Sequence, residues 1–165
     1  MDVRICPKTY WIMDVMNPQT FQLHPIDPSL AADLRALGGV TYVADTNPGY
    51  PCRQCLCDAE IGEELILVSH DPFTSQSPFR SASPIFLHRR NCAPPTDAHE
   101  LPTQLTGRQL SVRSFDDSEM MIDAAVIDGR ELSDTIGRFF DDDGSQLIHV
   151  HNASRGCWAV TVERS

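Results

Sequence analysis

Gln146-Leu147-Ile148-His149-Val150-His151-Asn152, then Ala153-Ser154-Arg155-Gly156, then Cys157-Trp158-Ala159-Val160-Thr161-Val162 close the chain's last third. Two β-rich runs flank a short polar loop that opens after Asn and ends in Gly, which is the signature of a hairpin. Successive strand residues point to opposite faces, so alternation sorts the side chains. On the first run Ile148 and Val150 share one face, while Leu147, His149 and His151 share the other. On the second, Trp158, Val160 and Val162 share a face, opposed by Cys157, Ala159 and Thr161. If both apolar sets enter one core, the opposite face gathers His149, His151 and Cys157 beside small residues that leave room for a ligand.

Working outward, Asp27-Pro28 reads as a helix start, with Asp as N-cap and Pro where a missing N–H costs nothing. Leu30, Leu34 and Leu37 recur at helical spacing, and Gly38-Gly39 supplies the stop. Val40 to Ala44, Cys52 to Cys57, Leu65 to His70, Pro84 to His88, Gln109 to Phe115 and Met120 to Ile127 read as strands. Residues 71–80 and 89–101 read as loops rich in Pro, Ser or polar residues. Asp128, with Glu131 three residues on, caps a second helix whose buried face is Leu132, Ile136 and Phe139 or Phe140. Helices and strands out of strict alternation predict an α+β fold: a largely antiparallel sheet of six to eight strands with two helices, closing on the C-terminal hairpin. The expected organisation is a single domain over 1–165, with 1–20 a peripheral segment holding a short edge strand and 21–165 the core.

A chain of 165 residues is long enough to bury about 70% of its unfolded surface. Its formal net charge of −10 argues against nucleic acid and anionic membranes as partners, because both need a basic footprint. Asp116-Asp117 and Asp141-Asp142-Asp143 read as solvated turns, since no twelve-residue pattern of alternating calcium ligands continues from them. No apolar run approaches the roughly 18 residues of a membrane span. The N-terminus does not read as a signal peptide, because Tyr10 to Met13 runs straight into Asp14. A cytoplasmic, reducing location is therefore expected, with all six cysteines as thiols.

Pro48-Gly49-Tyr50-Pro51-Cys52-Arg53, Asp58-Ala59 and Gly62-Glu63 begin a series of short segments in fixed order. It continues through Ser77-Pro78-Phe79-Arg80, Ile85-Phe86, Leu110 to Asp116 and Met121-Ile122-Asp123-Ala124, and ends at Ile148 to Ala153 and Gly156-Cys157. Over roughly residues 20–165 this series resembles a bacterial family catalogued as domain of unknown function 1203. The resemblance implies an intracellular protein of similar size and carries no activity to transfer. Cys55 and Cys57 stand where the family pattern has apolar or small residues.

Cys52-Arg53-Gln54-Cys55 has the spacing of half a zinc ribbon or of a redox dithiol. No second Cys pair follows, and the stretch sits among turn residues rather than opening a helix. On those grounds, and because Cys55 departs from the family pattern, the pair is read as incidental. His149 and His151 make the stronger case. On a strand their imidazoles stand about 6.5–7 Å apart on one face, close enough to converge on one ion. That reading gives Zn²⁺ or Fe²⁺ held by His149, His151 and Cys157, or Cys52, with an open position for water.

The preferred reading is metal-free, binding and possible transformation of a small anionic molecule, with the metal site as its alternative. Cys157 is a candidate nucleophile, with His149 or His151 as base and Asn152 as the orienting residue, while Arg53, Arg80 and Arg113 bind a small anionic molecule. Positive residues are few here, which makes three arginines within family-like segments notable; the alternative is that each holds a buried carboxylate such as Asp58 or Asp116. The third reading is a non-catalytic interaction module. His70 is placed facing the same site, whereas His88, abutting Arg89-Arg90, is set aside as a ligand. No phosphate-binding Gly loop, dinucleotide fingerprint or nucleophile elbow occurs.

Overall fold

Eight strands and three α-helices run through residues 21–165, the part of the chain that the computed structural model describes. The edge strand expected within residues 1–20 lies outside the described residues. The strands are β1 Phe21–His24, β2 Val40–Val43, β3 Glu64–His70, β4 Ser83–His88, β5 Gln109–Phe115, β6 Met121–Asp128, β7 Leu147–Asn152 and β8 Trp158–Arg164. The helices are α1 Pro28–Leu37, the single turn α2 Thr103–Thr106, and α3 Leu132–Phe140. A five-stranded sheet has the order β1-β8-β7-β5-β6, and a three-stranded sheet the order β2-β3-β4. Every named pairing is antiparallel, as the α+β reading requires.

Local chemistry explains the helices. The Asp27 carboxylate accepts the Ser29 N–H at 2.8 Å, Pro28 begins the first turn, and Gly38 ends it at φ 82°. The leucine stripe does not form the buried face, however. Leu37 is 84% exposed, and fully buried Ala31, with Leu34, packs the helix down. Leu132, Ile136, Phe139 and Phe140 are all buried against the large sheet, as their spacing predicts. Asp128 caps a short 3-10 turn, Gly129–Glu131, rather than α3 itself. Gly129 is required there because a Cβ would run into the backbone of Leu105, Thr106 and Arg108.

Two strand expectations need correction. Cys52 to Cys57 is not a strand. It is a tight turn tied down by isolated bridges from Pro51 to Asp58 and from Cys52 to Phe86, with Leu56 at φ 53°. The hairpin forms, but a register shift at Val150/His151 pairs His151 with Trp158 and leaves Ala159 as the extra residue. Ala159 therefore joins Val160, Val162, Ile148 and Val150 in the core under α3. Trp158 turns to the opposite face and packs with Ile66, Val68, Ile85 and Leu87 of the small sheet. The bulge thus makes β8 the seam between two cores.

Candidate functional site

Cys52 and Cys55 sit at the two ends of the tight turn, while His88 ends β4 and Cys92 lies just beyond it. The parallel bridge from Cys52 to Phe86 sets the turn beside β4, and the Arg53 N–H continues it by donating to the Phe86 carbonyl at 3.0 Å. Two pairs of residues more than thirty positions apart in sequence thereby meet. One ligand atom from each of Cys52, Cys55, His88 and Cys92 lies within 4.8 Å of all the others, and all four residues are buried. Cys52 Sγ stands 3.8 Å from Cys92 Sγ, and Cys55 Sγ stands 3.5 Å from His88 Nδ1. A tetrahedron with metal–sulfur bonds of about 2.3 Å and metal–nitrogen bonds of about 2.05 Å has S···S edges of about 3.75 Å and S···N edges of about 3.6 Å. The two measured separations match those edges.

The surroundings are arranged to hold these four groups. The His88 N–H points at Cys52 Sγ at 3.5 Å, and its Nε2 faces a Glu63 carboxylate oxygen at 3.5 Å, the carboxylate–histidine relay that orients ligating imidazoles. Gln54 Nε2 donates to the Cys92 carbonyl at 2.5 Å, and Arg35 ties Gln54 Oε1 to the His88 carbonyl. Burial works to raise the Cys52 thiol, yet hydrogen bonds from Cys55, Cys92 and His88 outweigh it and hold Cys52 well below the ordinary thiol range. Donating to Cys52, reinforced by burial, pushes Cys55 far up and Cys92 to about 12. Lowering one thiol raises its two neighbours, so the three resist ionising together, and a cation among them would relieve that opposition. Three thiolates around a divalent ion leave a net charge of −1. Cations flank the cluster to match: Arg35 Nη2 lies 3.9 Å from Cys92 Sγ, and Arg53 is buried beside Cys52.

The model of one protein family, described as protein of unknown function (DUF1203), matches residues 49–164. The chain belongs to that family. The DUF1203 match contains all four cluster residues, β3 to β8 and both cores' contact at Trp158. No curated protein and no solved structure matches the chain.

Among the described residues, this cluster is the group that brings three or more potential ligands together; His149, His151 and Cys157 do not form one. His149 and His151 do share a face of the large sheet, with ring centroids 6.2 Å apart. Both are pushed down by burial, to about 3 and about 4, and so are neutral at ordinary pH. His151 Nδ1 lies 3.0 Å from the Gly156 carbonyl, so it carries the ring proton. Cys157 is a half-exposed free thiol, and it meets Asn152 through backbone, accepting the Asn152 N–H at 3.0 Å.

The three arginines part company. Arg53 donates to the carbonyls of Trp158 at 2.6 Å and Pro51 at 2.8 Å; burial lowers it to about 10, still charged near neutrality. Arg80 pairs with Asp71 at 2.6 Å and closes its own loop on the Ser75 carbonyl. Arg113 lies opposite His149 on the neighbouring strand. Asp58 is held by Arg108 instead, in a two-pronged pair at 2.9 and 2.5 Å. Cys52, Cys55, Cys92 and Cys157 are thiols as expected, whereas Cys57 is disulfide-bonded and takes no part in the cluster.

Cys92 and His88 are the residues that reading the sequence passed over. Their signal was present as His88-x-x-x-Cys92, a ligand pair of admissible spacing whose mixed chemistry hid it from a search for a second Cys pair. No helix among the described residues is long and apolar enough to cross a membrane.

Proposed function

We propose that this chain is a zinc protein whose ion is held by Cys52, Cys55, His88 and Cys92. The observation that carries the reading is the pair of separations, 3.8 Å between Cys52 and Cys92 sulfurs and 3.5 Å between Cys55 Sγ and His88 Nδ1, which fit a tetrahedron around a single ion. Three thiolates with one imidazole are a zinc donor set, and zinc has no electronic preference that the tetrahedron must satisfy. Iron in the same site is the second reading, favoured only by the thiolate count. Four protein ligands, all buried, leave no position for water or substrate. The role is therefore structural: the ion clamps the 52–57 turn to the end of β4 and to the loop beyond it.

Elemental analysis of protein purified without chelator tests this. About one zinc per chain is expected, falling to background in Cys55→Ser and Cys92→Ser. Less than about 0.1 zinc or iron per chain, in protein shown to be folded by circular dichroism, overturns the proposal.

A further inference from the structure

On the face of the large sheet that also carries Trp158, β5 and β7 pair Arg113 with His149 and Ser111 with His151. Directly paired residues project to the same face, so these four side chains stand together. Beyond β5, the partners of Arg113 and Ser111 on β6 are Ala124 and Val126, both exposed. Beyond β7, the partners of His149 and His151 on β8 are Thr161 and Trp158, the latter buried. The face therefore passes from solvent at β6 to a closed floor at β7 and β8, with half-buried Arg113 at the margin.

Three groups here lack the partners that buried polar chemistry demands. His149 Nδ1 and His151 Nε2 are buried with no hydrogen-bond partner, on side chains that are 1% and 4% exposed. The Arg113 guanidinium has Ser111 Oγ at 3.2 Å and no carboxylate among the described residues, although Arg80, Arg89, Arg108, Arg130 and Arg138 all have one. Arg35, Arg53 and Arg164 also lack a carboxylate among the described residues but are spent on backbone carbonyls, whereas Arg113 has a single hydroxyl contact.

The donor and acceptor pattern defines what fits. Because His151 Nδ1 donates to the Gly156 carbonyl, its orphaned Nε2 holds a lone pair and needs a donor. His149 Nδ1 has no fixed partner and can present its proton as a donor. Arg113 offers the planar fork that takes two oxygens of one anion. Phe73 and Phe115 wall the His149 ring, at centroid distances of 4.8 and 5.0 Å, and keep water from it. We propose that this face binds a small oxyanion carrying an O–H group: anionic oxygens on Arg113 and His149, and the ligand's O–H donated to His151. A monohydrogen phosphate and a 2-hydroxycarboxylate share that chemistry. This inference does not depend on the metal reading, since neither imidazole belongs to the cysteine cluster.

Calorimetric titration of the full, metal-replete chain near pH 7.5 tests it with two matched pairs of probes. Phosphate carries an O–H where sulfate has none, and glycolate carries one where acetate has none. Phosphate, glycolate or both are expected to bind at least about ten-fold tighter than the matched probe, because a buried acceptor left without its donor discriminates strongly. Whichever pair discriminates names the source of the oxyanion. Arg113→Gln, at a half-exposed position whose loss leaves the core intact, is expected to abolish binding with an unchanged circular dichroism spectrum. His151→Phe is expected to erase the preference within each pair. No binding of any probe, equal binding of sulfate and phosphate and of acetate and glycolate, or full binding by folded Arg113→Gln would overturn the proposal. Metal content, measured on the same samples, reports separately on the cysteine cluster.

Discussion

Stripping the metal from the cysteine cluster is the most direct perturbation of the fold, and its size follows from the topology. In the proposed zinc site the ion would link Cys55 to His88, which are 33 positions apart. Closing a loop of that length removes chain entropy from the unfolded state worth about 3–4 kcal/mol in the cross-link model. For a domain of this size each kcal/mol moves the midpoint by about 2–4 °C, so removal should lower Tm by roughly 6–15 °C. The figure is a lower bound, since it omits the cost of leaving three buried thiols without their cation. The assay is scanning calorimetry of the protein as purified, after treatment with a high-affinity chelator, and after zinc is restored. A thiol reductant belongs in all three samples, because Cys52 and Cys92 sulfurs at 3.8 Å are close enough to oxidise once uncovered. Zinc add-back should return the original midpoint. A chelated sample shown by elemental analysis to be metal-free, yet melting within about 2 °C of the loaded protein, refutes the clamp.

Glu119 accepts four hydrogen bonds, from the N–H and hydroxyl groups of both Thr74 and Ser75 at 2.6–2.9 Å. Burial opposes ionisation, but these bonds outweigh it and hold the carboxyl at about 2, below its usual 4.5. A lowered carboxyl contributes stability above its unfolded value and loses it as pH falls from about 4.5 toward 2; Glu119→Gln should cost about 2 kcal/mol at pH 7 in urea melts and flatten that limb. His149 and His151 act in the same direction from a higher start, because burial depresses both below the ordinary 6.5. Around His149 stand His151, Glu119, Arg113 and His70, and around His151 stand Arg113 and Arg53. Stability should therefore fall as pH drops below 6.5, by roughly 2 kcal/mol per ring at pH 5, a loss that His149→Leu with His151→Leu should abolish in pH-dependent denaturation. Asp27→Ala should cost about 1 kcal/mol through the lost α1 cap, measured as a urea midpoint shift with unchanged m. Gly129→Ala has no room for its Cβ against the backbone of Leu105, Thr106 and Arg108 and should lower stability by at least about 3 kcal/mol, read by thermal melting.

Wherever a signal was local, the sequence carried it. Asp27-Pro28 and Gly38 bracket α1 because capping is settled within four residues. The alternation of Gln109 to Phe115 and the spacing of Leu132, Ile136 and Phe139 are likewise properties of a few neighbouring positions. What escaped depends on how distant pieces pair. β1 is four residues at a sheet edge, too short for a period to emerge, and it exists because β8 offers an antiparallel partner. The bulge at Ala159 cannot be read from alternation, which assumes unbroken register. The cluster escaped for the same reason, since Cys52-x-x-Cys55 and His88-x-x-x-Cys92 are each only half a site until the Cys52–Phe86 bridge joins them. The shared face of His149 and His151 was legible, because two imidazoles two residues apart on a strand need no tertiary information to align, whereas Arg113 joins them only through the β5–β7 pairing.

Arg53 links the two clusters mechanically. It lies between two cluster residues in sequence, and its backbone N–H is held by the Phe86 carbonyl. Its side chain then crosses to β8 and donates Nε to the Trp158 carbonyl at 2.6 Å, the residue at which the bulge reverses the strand's faces. Trp158 in turn stacks against His70 at 4.9 Å and lies opposite His151. A fully buried guanidinium with no carboxylate partner among the described residues is costly in any apolar core, so its persistence needs a local source of negative charge. The Cys157 and Cys52 sulfurs and the Asp58 carboxylate all lie near enough to favour its charge. Arg53 thus fixes the Trp158 carbonyl at the bulge that turns the indole away from the α3 core, and so ties the 52–57 turn to β8.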